Sequence, residues 1–241
     1  MNGLFVTATD TGSGKTLVSC GIIRALRRTG QRVAGMKPVA SGCEQTAAGL
    51  VSDDALQLAA AAGLEAPMDL VNPYRFLPAI APHLAAAEAG IRVDLRRIVA
   101  ACHALGRLAD SVVVEGVGGL RVPLNEEEDV ADLARLLELP VVLVVGMRLG
   151  CLNHALLTAE AIERCELPLC GWVANHVDPD MARPDENVDA LQRRLPVPLL
   201  GRVPFLRAAD AESVAGNIDL ASIFGEWRAA NEALAPRKPY T

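Results

Sequence analysis

Apolar residues recur along the chain in short unbroken runs. Leu4–Thr7, Arg32–Lys37, Ser111–Val114, Val141–Val145, Leu169–Ala174 and Leu199–Val203 are each rich in Val, Leu or Ala and give no polar face, the pattern of strands buried on both sides. Between them the period lengthens to that of a helix. Lys15–Thr29 sets Val18, Ile22, Ile23 and Leu26 on one side, with Arg27 and Arg28 in its last turn and Gly30 as its stop. Further helices are predicted from near Asp53, over Asp94–Ala109, Val130–Leu137, Asn153–Arg164 and Val188–Arg194, and over Ile218–Leu234. The acidic run Glu126–Asp129 reads as the solvated start of one of them. Strands alternating with helices predict an α/β fold with a mostly parallel central sheet covered on both faces. Two long polar connections interrupt the alternation, one from Pro38 to about Asp53, the other around Asn72-Pro73, Pro78 and Pro82. Connections of that length inside a compact domain are usually functional. The residues from Ala235 look like a frayed tail, and no repeat divides the 241 residues into more than one domain.

In such a sheet ligands sit beyond the carboxyl ends of the strands, so the polar residues there carry the chemistry. After the first strand comes ATDTGSGKT, Ala8 to Thr16, leading into a helix. Strand, glycine-containing turn, Gly-Lys-Thr and helix make up a phosphate-binding loop, although Thr9 stands where the strict pattern has its first glycine. Amides of Gly12, Ser13 and Gly14 and of the helix N-terminus point at an anion, Lys15 reaches phosphate oxygens, and the Thr16 hydroxyl can ligate Mg²⁺. Glu115, ending a branched run and followed by Gly116, Val117 and Gly118, can share that ion, or serve only as a cap or ion-pair partner. Asp53 and Asp54 both qualify as a further carboxylate, and both suit the N-terminus of a helix. A lysine at a strand end before proline, as Lys37 is, is ordinarily an exposed punctuation residue; beside a phosphate loop it becomes a second ammonium for transferred phosphate. Ser41 is either an oxyanion donor or a turn residue. Asn175 offers an amide that could read an adenine edge, or ordinary turn chemistry.

Composition narrows the partners. A net charge of −6 without a basic run argues against nucleic acid or an anionic membrane. The six cysteines form no C-x-x-C pair and no zinc spacing with the four histidines, and the longest purely apolar stretch, Pro140–Val145, is far too short to span a bilayer. A cytoplasmic protein in a reducing compartment is expected. No histidine or cysteine has the neighbours of a catalytic nucleophile.

Taken together, FVTATDT, MKPVASGCEQT, SDDAL, VNPYRF, PHLAA, VVVEGVGGL, PVVLVVGMRLGCLNHALLTAEAI, GWVANHV and PLLGRVPFL resemble the dethiobiotin synthetase family over nearly the full length. The resemblance implies a phosphate-loop NTPase-like fold and a cyclo-ligase of biotin biosynthesis that converts 7,8-diaminononanoate, CO₂ and ATP to dethiobiotin, ADP and phosphate. The route runs through a carbamate and a carbamic–phosphoric anhydride. It further implies Mg²⁺ held by Thr16, Asp54 and Glu115, so that Asp54 is favoured over Asp53, and Lys37 and Lys15 as catalytic lysines. Gly12 to Thr16, Asp54, Glu115 to Gly118, Asn175, His176 and Pro204, Phe205 and Leu206 would take the nucleotide. Thr11, Lys37 and Ser41 would take the diamine or its carbamate. The family also implies a homodimer, in which Gly150, Cys151, Leu152 and Asn153 receive the tail carboxylate of the substrate bound by the other subunit. Ala8, Gly12 and Ala211 depart from the residues usual in the family. A partition-type switch ATPase is the rival, but its early loop lysine is here Asp10.

Overall fold

A computed structural model describes residues 2–47, 49–206 and 210–220. The elements run β1 (Gly3–Ala8), α1 (Lys15–Arg28), β2 (Val33–Met36), β3 (Val39–Ser41), β4 (Glu44–Thr46), β5 (Gly49–Val51), α2 (Asp53–Ala62), α3 (Met68–Val71) and β6 (Tyr74–Phe76). They continue with α4 (Pro82–Glu88), α5 (Leu95–Leu108), β7 (Ser111–Glu115), α6 (Val130–Leu137), β8 (Val141–Met147), α7 (Cys151–Arg164), β9 (Leu169–His176), α8 (Pro184–Gln192), β10 (Leu199–Val203) and α9 (Ala211–Ala215). Among the described residues the main sheet has six strands in the order β10-β9-β8-β1-β7-β2, all parallel.

The apolar runs divide by parity between two layers, as a period of two requires. Phe5, Val112, Val114, Val141, Leu143 and Val145 face the layer that contains α5, α6 and α7. Leu4, Val6, Val113, Val142 and Val144 face the layer that contains α1 and α2. The same parity puts Glu115, two residues beyond Val113, on the α1 side. Lys37, two residues beyond Gly35 and four beyond Val33, lies on that side as well. A Cβ on Gly35 would come within 2.9 Å of Leu58, so the bare glycine lets α2 lie close against β2 beside Lys37.

Several expectations shift. β8 and β9 run two residues longer than their apolar cores, so Gly146, Asn175 and His176 are strand residues. The helix expected at Val188–Arg194 starts earlier, with Pro184 at its first turn, and ends at Gln192. Both polar connections are structured: β3 pairs in parallel with β6, and β4 with β5 in an exposed hairpin. A periodicity test misses three-residue strands that satisfy their backbone only through distant partners. The expected terminal helix does not begin at Ile218, which forms an antiparallel bridge to Gly201, where a Cβ would strike the Asn217 carbonyl at 2.1 Å. Residues 221–234 of that helix and the tail from Ala235 lie outside the described residues.

Candidate active site

The loop between β1 and α1 folds as a phosphate cradle. Gly12 and Gly14 take left-handed φ values of 74° and 76°, and no side chain caps the N-terminus of α1, which leaves its first amides to an anion. Thr9 Oγ1 and Ser13 Oγ lie 3.2 Å apart, and Asn175 Nδ2 donates to the Ser13 carbonyl at 2.9 Å. A Cβ on Gly14 would meet that amide at 2.0 Å, so glycine is needed there for two reasons. Ala8 is the last residue of β1 and has no left-handed φ, so its backbone makes no demand for glycine. Asp10 bonds the Thr11 amide at 2.7 Å and pairs with Arg148, at 3.0 Å, on the β8–α7 connection.

Beside the cradle four side chains converge. Lys37 Nζ lies 2.6 Å from Glu115 Oε1 and 2.7 Å from Asp54 Oδ2, and it approaches the Gly116 carbonyl at 3.4 Å. The Thr16 hydroxyl faces Asp54 Oδ1 at 2.9 Å and Glu115 Oε1 at 3.0 Å. Glu115 is wholly buried, and its Oε2 has no partner. Lys37, expected from its local context to be an exposed punctuation residue, is buried. Burial disfavours its charge, but Glu115 and Asp54 outweigh burial and hold the ammonium above the ordinary lysine range. For Asp54 burial acts upward, and the Lys37 charge with bonds from Lys37 and Thr16 brings the carboxyl below its usual value. Lys15 behaves oppositely: burial first, then the Lys37 charge, pulls it down to about 8 against the carboxylates. Asp53 points away and accepts from Gln57 at 2.7 Å, while Ser52 caps α2.

These groups open onto a cavity of about 670 Å³. Thr11, Gly12, Gly14, Lys15, Thr16, Lys37, Ser41, Asp54, Glu115, Val117 and Gly118 line it, together with Ala40, Ala79–Pro82 and Val122. The Ser41 hydroxyl is buried without a partner.

The chain matches, over residues 2–213, a family model described as an AAA domain. It is 53% identical to the ATP-dependent dethiobiotin synthetase BioD of Aromatoleum aromaticum, over 90% of this chain and 96% of that protein. With the protein of the same name from Pseudomonas aeruginosa (strain UCBPP-PA14) it shares 54% identity, over 91% of this chain and 97% of that one. The chain belongs to the dethiobiotin synthetase family.

Among solved structures, the septum site-determining protein MinD of Pyrococcus horikoshii, complexed with Mg-ADP, is similar at a TM-score of 0.54 and 17% identity, over 95% of this chain and 91% of that one. The ParA family ATPase of Chlorobium tepidum gives 0.54 and 14%, over 97% and 99%. At such identity the likeness is one of fold alone. Function has to be argued from the site.

The cavity is lined by half of the residues picked out in the sequence, and Ser13 and Gly116 are not among its lining residues. Asn175, His176 and Pro204–Leu206 lie at the β9 and β10 end, outside the cavity lining, with Phe205 43% exposed. His176 is pushed below the ordinary imidazole value, chiefly by burial. Gly150–Asn153, opening α7 without a side-chain cap, are also outside the lining. Ala211 opens α9, behind the Asp210 cap.

Two contributors went unseen in the sequence. Asn72, completely buried, donates to the Lys37 carbonyl at 2.6 Å and the Tyr74 carbonyl at 3.1 Å, and Lys37 N–H bonds the Val71 carbonyl at 2.8 Å. Asn72 falls in an irregular stretch and in the family block VNPYRF, and Pro82 of the apolar wall Ala79–Pro82 opens the block PHLAA, but neither segment carries a residue-level role in the sequence reading. The thiols of Cys20, Cys102 and Cys170 are pushed up to about 12, chiefly by burial, which makes them poor nucleophiles at neutral pH.

Proposed function

We propose that this chain converts 7,8-diaminononanoate, CO₂ and ATP to dethiobiotin, ADP and phosphate. The observation that carries this is Lys37, buried yet charged, at the edge of a phosphate cradle whose cavity has both an unpartnered hydroxyl and an apolar wall. The phosphate loop calls for a nucleotide. The wall of Ala79, Ile80, Val117 and Val122 suits the methylene chain of the diamine, and the Ser41 hydroxyl and Thr11 suit a carbamate.

One amine of the diamine adds to CO₂ and loses a proton, giving a carbamate. A carbamate oxygen attacks the γ-phosphorus, and the bond to ADP breaks. The second amine attacks the carbonyl of the resulting anhydride, phosphate leaves, and the cyclic urea closes with loss of the amine proton. Phosphorylation of the carbamate brings two anions together, and the chain answers with positioned cations. Lys15 at the start of α1 faces the β- and γ-phosphates. Lys37 neutralises charge that spreads over the transferring group. No protein nucleophile is required.

Magnesium fits the donors present. Thr16, Asp54 and Glu115 would hold it: they are hard oxygen donors, and the unpartnered Glu115 Oε2 is the kind of buried atom a cation satisfies. When bound, it would neutralise phosphate oxygens. Among the described residues no group of three or more His, Cys, Asp and Glu side chains is placed to hold a metal ion.

The base would lie towards Asn175, His176 and Pro204–Leu206, with the Asn175 amide reading adenine. The family resemblance implies a homodimer, and the uncapped start of α7 fits the carboxylate-binding role it gives Gly150–Asn153. The chain acts as one domain, and a cytoplasmic location accords with the small, charged substrates; no helix among the described residues is long and apolar enough to cross a membrane.

The test is to incubate the purified chain with ATP, Mg²⁺, bicarbonate and diaminononanoate. ADP is expected only with both co-substrates, alongside the cyclic urea by mass. Steady ATP hydrolysis in the absence of the diamine would point instead to a switch ATPase.

A further inference from the structure

The oxygens assigned above to Mg²⁺ already have a cation of the chain's own. All three donors of the Lys37 ammonium are engaged within the site: Glu115 Oε1 at 2.6 Å, Asp54 Oδ2 at 2.7 Å and the Gly116 carbonyl at 3.4 Å. The carboxylates are less well served. Glu115 Oε2 has no partner, and the single Thr16 proton is shared between Asp54 Oδ1 and Glu115 Oε1. Lys37 is the cation in direct contact with both carboxylates, with Lys15 as a further positive charge nearby, and both retain capacity for a further cation.

We propose that Lys37 is the resident counter-cation of the metal site. It holds Glu115 and Asp54 together and competes with a divalent ion for them. Tight metal binding then waits for nucleotide phosphates, which supply both further ligands for the ion and a new anionic partner for the ammonium. A divalent ion held by the oxygens Lys37 leaves open, Glu115 Oε2 and Asp54 Oδ1, would lie beside the ammonium, and repulsion between the two cations would favour a Lys37 turned towards the γ-phosphate. This rests on the assignment of Thr16, Asp54 and Glu115 as metal ligands.

The probe is Mn²⁺ alone, titrated into the full chain without nucleotide and read by electron paramagnetic resonance. Lys37→Met and Lys37→Gln remove the competing charge and should bind Mn²⁺ at least about tenfold more tightly than the parent. Lys37→Arg keeps the charge and should stay within about threefold of it. Unchanged or weaker binding by the Met and Gln variants would overturn the proposal. Should those variants fold only when Mn²⁺ is added, the proposal stands; failure to fold with Mn²⁺ present counts against it. A separate arm measures Mn²⁺ with ATP bound to Glu115→Gln. If that affinity equals the parent's, the ligand assignment itself is wrong. If it drops while the Lys37 variants show no gain, only the counter-cation role is lost.

Discussion

The two ends of the sheet's carboxyl edge are built differently. At the β2–β7–β1 end, Lys37 and Glu115 are buried charges bonded to each other, with Asp54 and Thr16 locked to the same pair. At the β9–β10 end the residues proposed to flank the base are an exposed Pro204 and Phe205 beside a buried Asn175 whose bond to Ser13 supports the loop backbone. The difference fits the roles proposed for the two ends. Stabilising transferred phosphate needs charges fixed before the substrate arrives, because reorganising them during reaction would cost the barrier they are meant to lower. Holding a base needs only a surface of the right shape.

Breaking the buried end should therefore cost catalysis. Lys37→Ala is expected to lower kcat about 10²–10³-fold while the ATP dissociation constant changes by less than about threefold. An unchanged kcat would remove the lysine from the mechanism.

The pH dependence sharpens the same contrast. Lys15, held down to about 8 chiefly by burial, is an ammonium below that pH and a neutral amine above it. Only the ammonium attracts phosphate, so ATP affinity should fall as pH rises through about 8, approaching tenfold per pH unit, and ATP binding near pH 8 should take up a proton. Calorimetry in buffers of different ionisation enthalpy measures that uptake. A flat affinity from pH 7 to 9.5 would contradict it.

Asn72→Ala strips the bonds that position the Lys37 and Tyr74 carbonyls. It is expected to cost about 1–3 kcal/mol in urea unfolding. It should also slow kcat roughly tenfold through the displaced Lys37. Stability lost with kcat intact would make Asn72 purely structural. At the open end, Phe205→Ala should be the mildest change, altering the ATP KM by no more than about threefold with kcat untouched, as expected for an exposed side chain.

Legibility in the sequence follows the same division. The main strands were readable because each is buried on both faces and must be continuously apolar, and α1 because its apolar stripe repeats at 3.6. Glu115 and the Gly-Lys-Thr turn were readable because they adjoin those patterns. Lys37 was ambiguous from local context, since nothing in Lys37-Pro38 signals that Asn72 and Val71 will enclose its backbone. The β3–β6 pair and the 79–82 wall were not readable, because three-residue strands carry no period and are held by partners more than thirty residues away.

The layered α/β architecture, the phosphate loop and, through the family blocks, the kind of chemistry are written in the chain locally, because period and short motifs encode them directly. The family blocks also favour Asp54 over Asp53, and the fold agrees; that Lys37 is buried between two carboxylates and that Asn72 positions it came from the three-dimensional packing. Each of these depends on packing between segments far apart in the chain. A lysine's burial is set by what closes over it, and no neighbour in sequence reports that.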